Sequence, residues 1–366
     1  MIYRVIGLMS GSSIDGLDIV FAELEASGGK WSWSIPEAEC IPYPPEWARR
    51  LSADPHGLSA LAYQELHTEF GHYLGRQVKA FMQTHGLDYK VSLIASHGHT
   101  TFHLPGRMTA QWGDGAAIAA ETGLPVVSDL RAMDVALGGQ GAPIVPMGER
   151  LLWPGYRYFL NIGGIANISF HGPERLIAFD TSPANRVLNA LASEAGQAYD
   201  AGGAIAASGK VDPGLLSRLN QLEYYAKAYP RSLDNAFGTE TVLPLIVASG
   251  LPLADRMATM AAHIAQQVRQ AVIRVRAAEG MGAADEKMLV TGGGAFNTTL
   301  LELIRTQLEP LGILAEAADE RTIEFKEALV MALLGVLRWR EEETVLSSVT
   351  GASRSSVGGA LWMGTR

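Results

Sequence analysis

Two stretches of this chain carry one pattern: an apolar strand-like run, a knot of small residues, then a second strand-like run. The first is GLMSGSSIDGLDIV, Gly7 to Val20, and the second is LNIGGIANISF, Leu160 to Phe170. Both read as two strands joined by a tight hairpin, because the apolar run resumes just after the turn and Gly, Ser, Asn and Asp are turn formers. Such a hairpin is either a plain surface turn or a phosphate loop. In the second case small residues let backbone N–H groups approach a phosphate and a nearby carboxylate holds its magnesium ion. Each hairpin would open one half of a duplicated fold.

Short apolar runs before glycine or polar turns mark further strands: VSLIAS ahead of His97, LPVVSDL, YRYFLNI ahead of Gly163, RLIAFD ending at Asp180, and KMLVT ahead of Gly292. Between them lie helix-period stretches. The clearest runs from Ala254 to Gly280, where Met257, Met260, Ile264, Val268, Val272 and Val275 recur three or four residues apart as a core stripe. A third glycine turn, LVTGGGAFN, closes a strand and precedes the helical run TTLLELIRTQLEP. Taken alone it fits a strand-to-helix turn as well as a nucleotide contact. Strands alternating with helices predict an α/β protein with helix-covered sheets. At 366 residues two domains are expected, with a ligand cleft between them.

Charge and cysteine usage narrow the partners. With 29 Lys plus Arg against 38 Asp plus Glu, the net charge is −9, so no basic excess draws in a nucleic acid. The single cysteine, Cys40, lies in the loop-like stretch AECIPYPPEW and allows neither an internal disulfide nor a thiolate metal cluster, which fits a reducing cytoplasm. The first residues run into a strand pattern without the apolar core of a signal peptide. The longest strongly apolar run, Ala328 to Leu337, is too short for a bilayer, so no membrane partner is expected.

Two β-hairpin phosphate loops plus a later glycine turn for adenosine is the layout of the actin-like, hexokinase-type ATPases. Within that superfamily the chain resembles the anhydro-N-acetylmuramic acid kinases of bacterial cell-wall recycling. The resemblance runs through GLMSGSSIDGLD, SHGHTTFH, SDLRAMDVALGGQGAP, LNIGGIANIS, AFDTSPAN, VTGGGAFN, FKEAL and VTGASRSSVGGALWMG. It implies a two-domain actin-like fold, a duplicated ribonuclease H-like unit with a central cleft. It also implies a kinase that uses ATP and Mg2+ on 1,6-anhydro-N-acetylmuramic acid. Water opens the anhydro ring while O6 is phosphorylated, giving N-acetylmuramic acid 6-phosphate. A homodimer is implied as well. The expected lobes are residues 1–130 with about 350–366, and residues 131–349, the second carrying the base and the adenosine-side turn.

Carried onto matching positions, the resemblance assigns residues. Gly11, Ser12, Ser13, Ile14, Asp15, Gly16, Leu17 and Asp18 form the first nucleotide loop, with Asp15 and Asp18 as the available carboxylates for magnesium or its water shell; one of the two takes that role, and Asp18 is otherwise the polar end of a strand. Asn161, Gly163 and Gly164 form the second loop, pinned by Asn161 and Asn167, and Gly292, Gly293 and Gly294 form the adenosine-side turn. Water attacking an anomeric carbon must lose a proton, which calls for a carboxylate at a strand end. Asp180 meets that demand and matches the family's base, with capping of a helix begun near Pro183 as the alternative role. Glu327 helps order the site. His97, Thr100, Arg131, Asp134 and Gln140 line the sugar side. Arg131 is the candidate for the lactyl carboxylate, unless a salt bridge to Asp129 or Asp134 occupies it. The spacing of His97, His99 and His103, on a strand-to-loop segment, matches no common zinc pattern.

The chain departs from the family pattern at three places. Ser182 stands for glycine in DTSPAN, Asn189 for a frequent aspartate, and Ala236 for a glutamate in RSLDNAFG, a segment expected to line the moving domain's cleft. Rival readings are a related amino-sugar kinase, a phosphoanhydride hydrolase, or a non-catalytic sugar and nucleotide sensor, which would have no need of Asp180.

Overall fold

The computed structural model describes residues 1–11, 14–172, 176–229, 231–234, 236–282 and 285–365. The chain divides into two compact units, Met1–Trp153 with Phe325–Arg366, and Pro154–Glu324. In chain order the strands are β1 (Ile2–Ser10), β2 (Gly16–Ser27), β3 (Lys30–Pro42), β4 (Leu93–Leu104), β5 (Met108–Trp112), β6 (Val126–Ser128), β7 (Tyr158–Ile162), β8 (Ile165–His171), β9 (Leu176–Pro183), β10 (Glu286–Thr291), β11 (Ile313–Ala317) and β12 (Ala360–Trp362).

The two sheets repeat one topology. In the first unit the order is β12-β6-β4-β1-β2-β3, with β5 paired to β4. There β1–β2 and β2–β3 are antiparallel, while β1–β4 and β4–β6 are parallel. The second unit's sheet is β11-β10-β7-β8-β9, with β7–β8 and β8–β9 antiparallel and β7–β10 and β10–β11 parallel. With β5 and β12 set aside, each sheet reads third, second, first, fourth, fifth from its antiparallel edge. This is a ribonuclease H-like sheet used twice, the actin-like ATPase fold.

Burial explains the strands. Val5, Ile6, Gly7 and Leu8 are buried in succession, as a central strand covered on both faces requires. On β3, by contrast, exposed and half-buried residues alternate along much of an edge strand. The predicted stripe Met257, Met260, Ile264, Val268, Val272 and Val275 is fully buried on the helix Leu253–Ala278. Each such side chain contributes about 1.5–3 kcal/mol on leaving water. The first unit's core has a counterpart in Phe70, Leu74, Val78 and Phe81 on the helix Ala60–Thr84, a helix that the sequence reading did not single out.

Three expectations are corrected. Residues 131–153 and 325–349 belong to the first unit, not the second. The helix Glu320–Trp339 runs so close to β1 that a side chain on Gly7 would strike the backbone of Ala328, and a buried ion pair joins Lys326 Nζ to Glu149 Oε1 at 3.0 Å. Cys40 is in β3 opposite Asp18, not in a loop, since pairing with β2 extends to Pro42. SHGHTTFH is strand throughout rather than strand-to-loop, because β4 continues beyond β1 by pairing with β5. Among the described residues no helix is long and apolar enough to cross a membrane.

Candidate active site

In the first unit the Gly11–Gly16 turn joins β1 to β2, whose closing pair is Ser10 and Leu17. Ser12 and Ser13, the centre of the expected phosphate loop, lie outside the described residues. Ile14 donates its amide to Gly11 O at 3.4 Å and adopts φ 56°, a left-handed conformation that a β-branched residue takes only when its surroundings enforce it. Asp15 is exposed and accepts the Gly16 amide at 2.9 Å. Asp18 is half-buried on β2, and Leu17 is a core residue that offers only its backbone. A polar chain anchors the turn's entrance. The Tyr43 hydroxyl donates to Ser10 Oγ at 2.7 Å, and Ser10 Oγ bonds His99 Nδ1 at 3.1 Å. Burial lowers the His99 pKa, which suits a neutral ring accepting that bond.

The sugar-side candidates His97, Arg131, Asp134 and Gln140 gather around one loop of the same unit. Arg131 Nε donates to His97 Nε2 at 2.8 Å, and its other branch donates to Gly141 O at 2.7 Å. His97 Nδ1 faces Gly98 O at 2.9 Å, a carbonyl that can only accept. The ring is therefore neutral, protonated on Nδ1 and accepting on Nε2. Burial first, and the Arg131 charge second, draw its pKa down to about 3. With both nitrogens engaged, His97 cannot ligate a metal and instead orients Arg131.

Arg131 makes no salt bridge to Asp129 or Asp134. The buried Asp134 carboxylate instead accepts the Gly141 amide at 2.7 Å and the Thr350 hydroxyl at 2.6 Å, while Asp129 accepts from Ser128 Oγ. Gln140 is exposed and its amide donates to Thr350 O; Thr100 is exposed on β4. Desolvation lowers the Arg131 pKa to about 10 against the opposing charge of Glu327, so the exposed Glu327 acts electrostatically on the guanidinium.

In the second unit two glycine turns lie against each other. The Gly163–Gly164 hairpin joins β7 to β8, with Asn161 opposite Asn167. Its carbonyls receive the amides of Ala184, Asn185 and Arg186 at the start of the helix Asn185–Ala192. Gly292 has φ 77°, and a Cβ there would stand 2.5 Å from Asn161 Oδ1 and 2.8 Å from Ile162 O. Only glycine permits that approach, which seats Gly292–Gly294 on the hairpin.

Asp180 is half-buried on β9. Its Oδ2 accepts the Leu233 amide at 2.8 Å, its own amide donates to Arg231 O at 3.1 Å, and its carbonyl accepts the Tyr224 hydroxyl at 2.7 Å. Among the described residues nothing bonds Oδ1. Desolvation raises the Asp180 pKa, opposed by the Leu233 amide and then by the Arg231 charge. The capping alternative fails, because Ala184 is the N-cap of the helix Asn185–Ala192 and no side chain caps it. In the segment expected to line the cleft, Arg231 and Leu233 bond Asp180 and support its carboxylate. No sequence signal set Arg231 and Leu233 apart, because their partner is fifty residues away in the chain.

Among the described residues no three His, Cys, Asp or Glu side chains form a metal-holding group. Asp15 and Asp18 nevertheless suit magnesium in kind, since that ion takes one or two carboxylates with water and phosphate oxygens.

The family model described as anhydro-N-acetylmuramic acid kinase matches residues 3–364. A protein of that name from Rhodococcus erythropolis is 36% identical over 386 residues, covering 99% of this chain and 95% of the relative. Its namesake from Streptomyces coelicolor is 37% identical over 381 residues, covering 99% and 94%. Among solved structures, the activator of 2-hydroxyisocaproyl-CoA dehydratase from Clostridium difficile with bound ADPNP aligns with TM-score 0.48 at 15% identity, covering 93% of this chain and 96% of that one.

Proposed function

The chain belongs to the anhydro-N-acetylmuramic acid kinase family, and on that footing we propose that it converts 1,6-anhydro-N-acetylmuramic acid and ATP to N-acetylmuramic acid 6-phosphate and ADP. Asp180 Oδ1 takes a proton from water as the water oxygen bonds C1. The C1–O6 bond breaks with its electron pair going to O6. O6 bonds the γ-phosphorus, whose bond to the bridging oxygen breaks to release ADP. The proton then passes from Asp180 to solvent.

The observation that carries this reading is the state of Asp180. One oxygen is tied to a backbone amide, the other accepts no bond from the described residues, and burial raises the group's proton affinity, all of which suit a general base. A sensor has no use for such a group. The glycine hairpins and the Gly292–Gly294 turn take the ATP phosphates and adenosine, and Arg131, held by His97, takes the lactyl carboxylate as a charge-assisted pair. Magnesium, when bound, neutralises phosphate charge, and Asp15 and Asp18 would hold it or its waters. The reaction runs in the cytoplasm, in a homodimer that sedimentation will detect.

The test is to incubate protein, ATP, magnesium and anhydro sugar in 18O-water. The reading requires the 6-phosphate by mass, with one 18O at C1. Free phosphate without sugar product would instead favour a hydrolase, and binding without turnover a sensor.

A further inference from the structure

β9 is the edge strand of the second unit's sheet, so its outer backbone groups need partners from outside the sheet. Residues 231–233 supply them at Asp180: its amide reaches Arg231 O, and the Leu233 amide reaches the carboxylate instead of continuing a ladder. Tyr224 and Tyr229 join the preceding residues to β9, through the hydroxyl bond to Asp180 O and a stack on Phe179, and the Arg231 side chain ties its own segment back to them. Arg231 donates through one terminal nitrogen to the carbonyls of Tyr224, Tyr225 and Lys227 at 3.2, 3.2 and 3.0 Å. Its guanidinium lies 4.7 Å over the Tyr224 ring and 5.6 Å from that of Phe179, the residue before Asp180. Among the described residues its buried Nε has no acceptor, and the aromatic faces hold that part of the group.

We propose that Arg231 is a positioning residue for the base: it fixes the 224–233 turn against β9 so that the Leu233 amide pins Asp180 Oδ2 and leaves Oδ1 directed to water. The inference rests on the reading of Asp180 as base. The guanidinium also opposes the desolvation that favours the protonated carboxyl. The other titratable groups here are Tyr224 and Tyr225, whose pKa values burial raises, His263 at about 3, and Arg274. The nearby acids are Asp234, Glu240 and Glu223, all exposed, and Glu279, which accepts the Tyr229 hydroxyl at 3.4 Å. At neutral pH Arg231, Arg274 and the exposed Lys227 are thus the local cations; Arg274 reaches the turn only at Lys227 O, at 3.5 Å, and Arg231 is the one whose charge acts on Asp180.

The test compares wild type, Arg231→Met and Arg231→Lys by kcat and KM across pH, by melting temperature, and by 13C NMR titration of the Asp180 carboxyl, assigned with Asp180→Asn. In Arg231→Met kcat falls about ten- to a hundredfold, as a displaced catalytic group costs, with both KM values within a few fold. The acid limb and the Asp180 titration both move up by about one pH unit on loss of the neighbouring cation. Arg231→Lys keeps the titration in place but loses several-fold in kcat, because an ammonium cannot cap three carbonyls from one plane. A lower melting temperature with limb and titration unmoved in Arg231→Met overturns the proposal. So does wild-type kcat in Arg231→Lys, which decides alone if the Met variant does not fold. Failure of the wild type to turn over the sugar sinks the functional reading instead, and the NMR titration still decides the Arg231 contact.

Discussion

Asp180→Asn separates catalysis from stability in a direction that the structure fixes. The asparagine oxygen, turned to the place Asp180 Oδ2 holds, can still accept the Leu233 amide, so the 231–233 support survives. What is lost is the ability to take a proton. Because burial raises the Asp180 pKa above its ordinary 3.8, the native state holds that proton more tightly than the unfolded chain does. Its stabilising contribution is therefore complete below pH 3.8 and is lost as pH rises through the folded value; at neutral pH the ionised carboxylate weighs against folding. A neutral isostere removes that penalty, so the variant melts at or above the wild-type temperature at pH 7. Turnover falls a hundred- to ten-thousandfold, the usual loss with a general base, or about 2.7–5.5 kcal/mol of barrier at 1.36 kcal/mol per decade. Phosphorylation and ring opening fall together, because one attack drives both. Calorimetry and mass-detected turnover on the same preparation give the answer. A stable Asn variant with wild-type rate would refute the assignment, and a sharp loss of stability would refute the account of its burial.

Asp134→Ala strands the buried Gly141 amide and Thr350 hydroxyl and is expected to cost about 3 kcal/mol in urea unfolding. Asp134→Asn, whose carbonyl serves the amide and whose NH2 serves the hydroxyl oxygen, should cost less than about half of that, so equal losses would exclude this pairing. Arg131→Lys cannot bond His97 and Gly141 while presenting a planar fork. It should raise KM for the sugar about ten- to a hundredfold, for an interaction worth about 1.5–3 kcal/mol, with KM for ATP unchanged; a parallel rise in both would count against sugar recognition. Gly292→Ala forces a side chain into left-handed backbone against Asn161 and Ile162. It should cost about 1–3 kcal/mol and raise KM for ATP above that for the sugar, whereas a selective sugar defect would reverse the assignment.

The parts legible in the sequence were those written within a dozen residues. A strand, a small-residue turn and a returning strand announce a hairpin locally, and two such signals announced the duplication that the sheet orders display. The residues that hold the site were not legible, because their partners are distant in the chain. Ser10 meets His99 across 89 positions and Asp134 meets Thr350 across 216. The family resemblance places Asp134 on the sugar side, but its carboxylate is taken up by the Gly141 amide and the Thr350 hydroxyl, which spacing does not reveal. The unit boundaries were missed for the same reason: the helix Glu320–Trp339 is assigned by what it packs on, through the close approach at Gly7, and not by where it falls between motifs.

The departures from the family pattern can now be weighed by what they touch. Ser182 is fully buried, and its hydroxyl has no partner among the described residues, a cost of about 1–3 kcal/mol for an unsatisfied group. It sits opposite Ala166, beside an irregularity in the β8–β9 pairing, while Asp180 sits opposite Asn167 on the other side of it. The extra hydroxyl therefore burdens the strand and leaves the bonds of the carboxylate intact. At Ala236 the missing glutamate is matched by a carboxylate two residues earlier: Asp234 Oδ1 accepts the Ala236 amide at 2.7 Å, and Asp234 O accepts the Phe237 amide at 3.1 Å, so the segment after the Asp180 support starts its helical turn from Asp234. The Ser182 change loads the strand that carries the base, the Ala236 change bears on the segment after its support, and neither removes a group that bonds it. Their effect is thus expected in kcat and in the acid limb of its pH profile, where the support acts, rather than in which sugar the enzyme accepts.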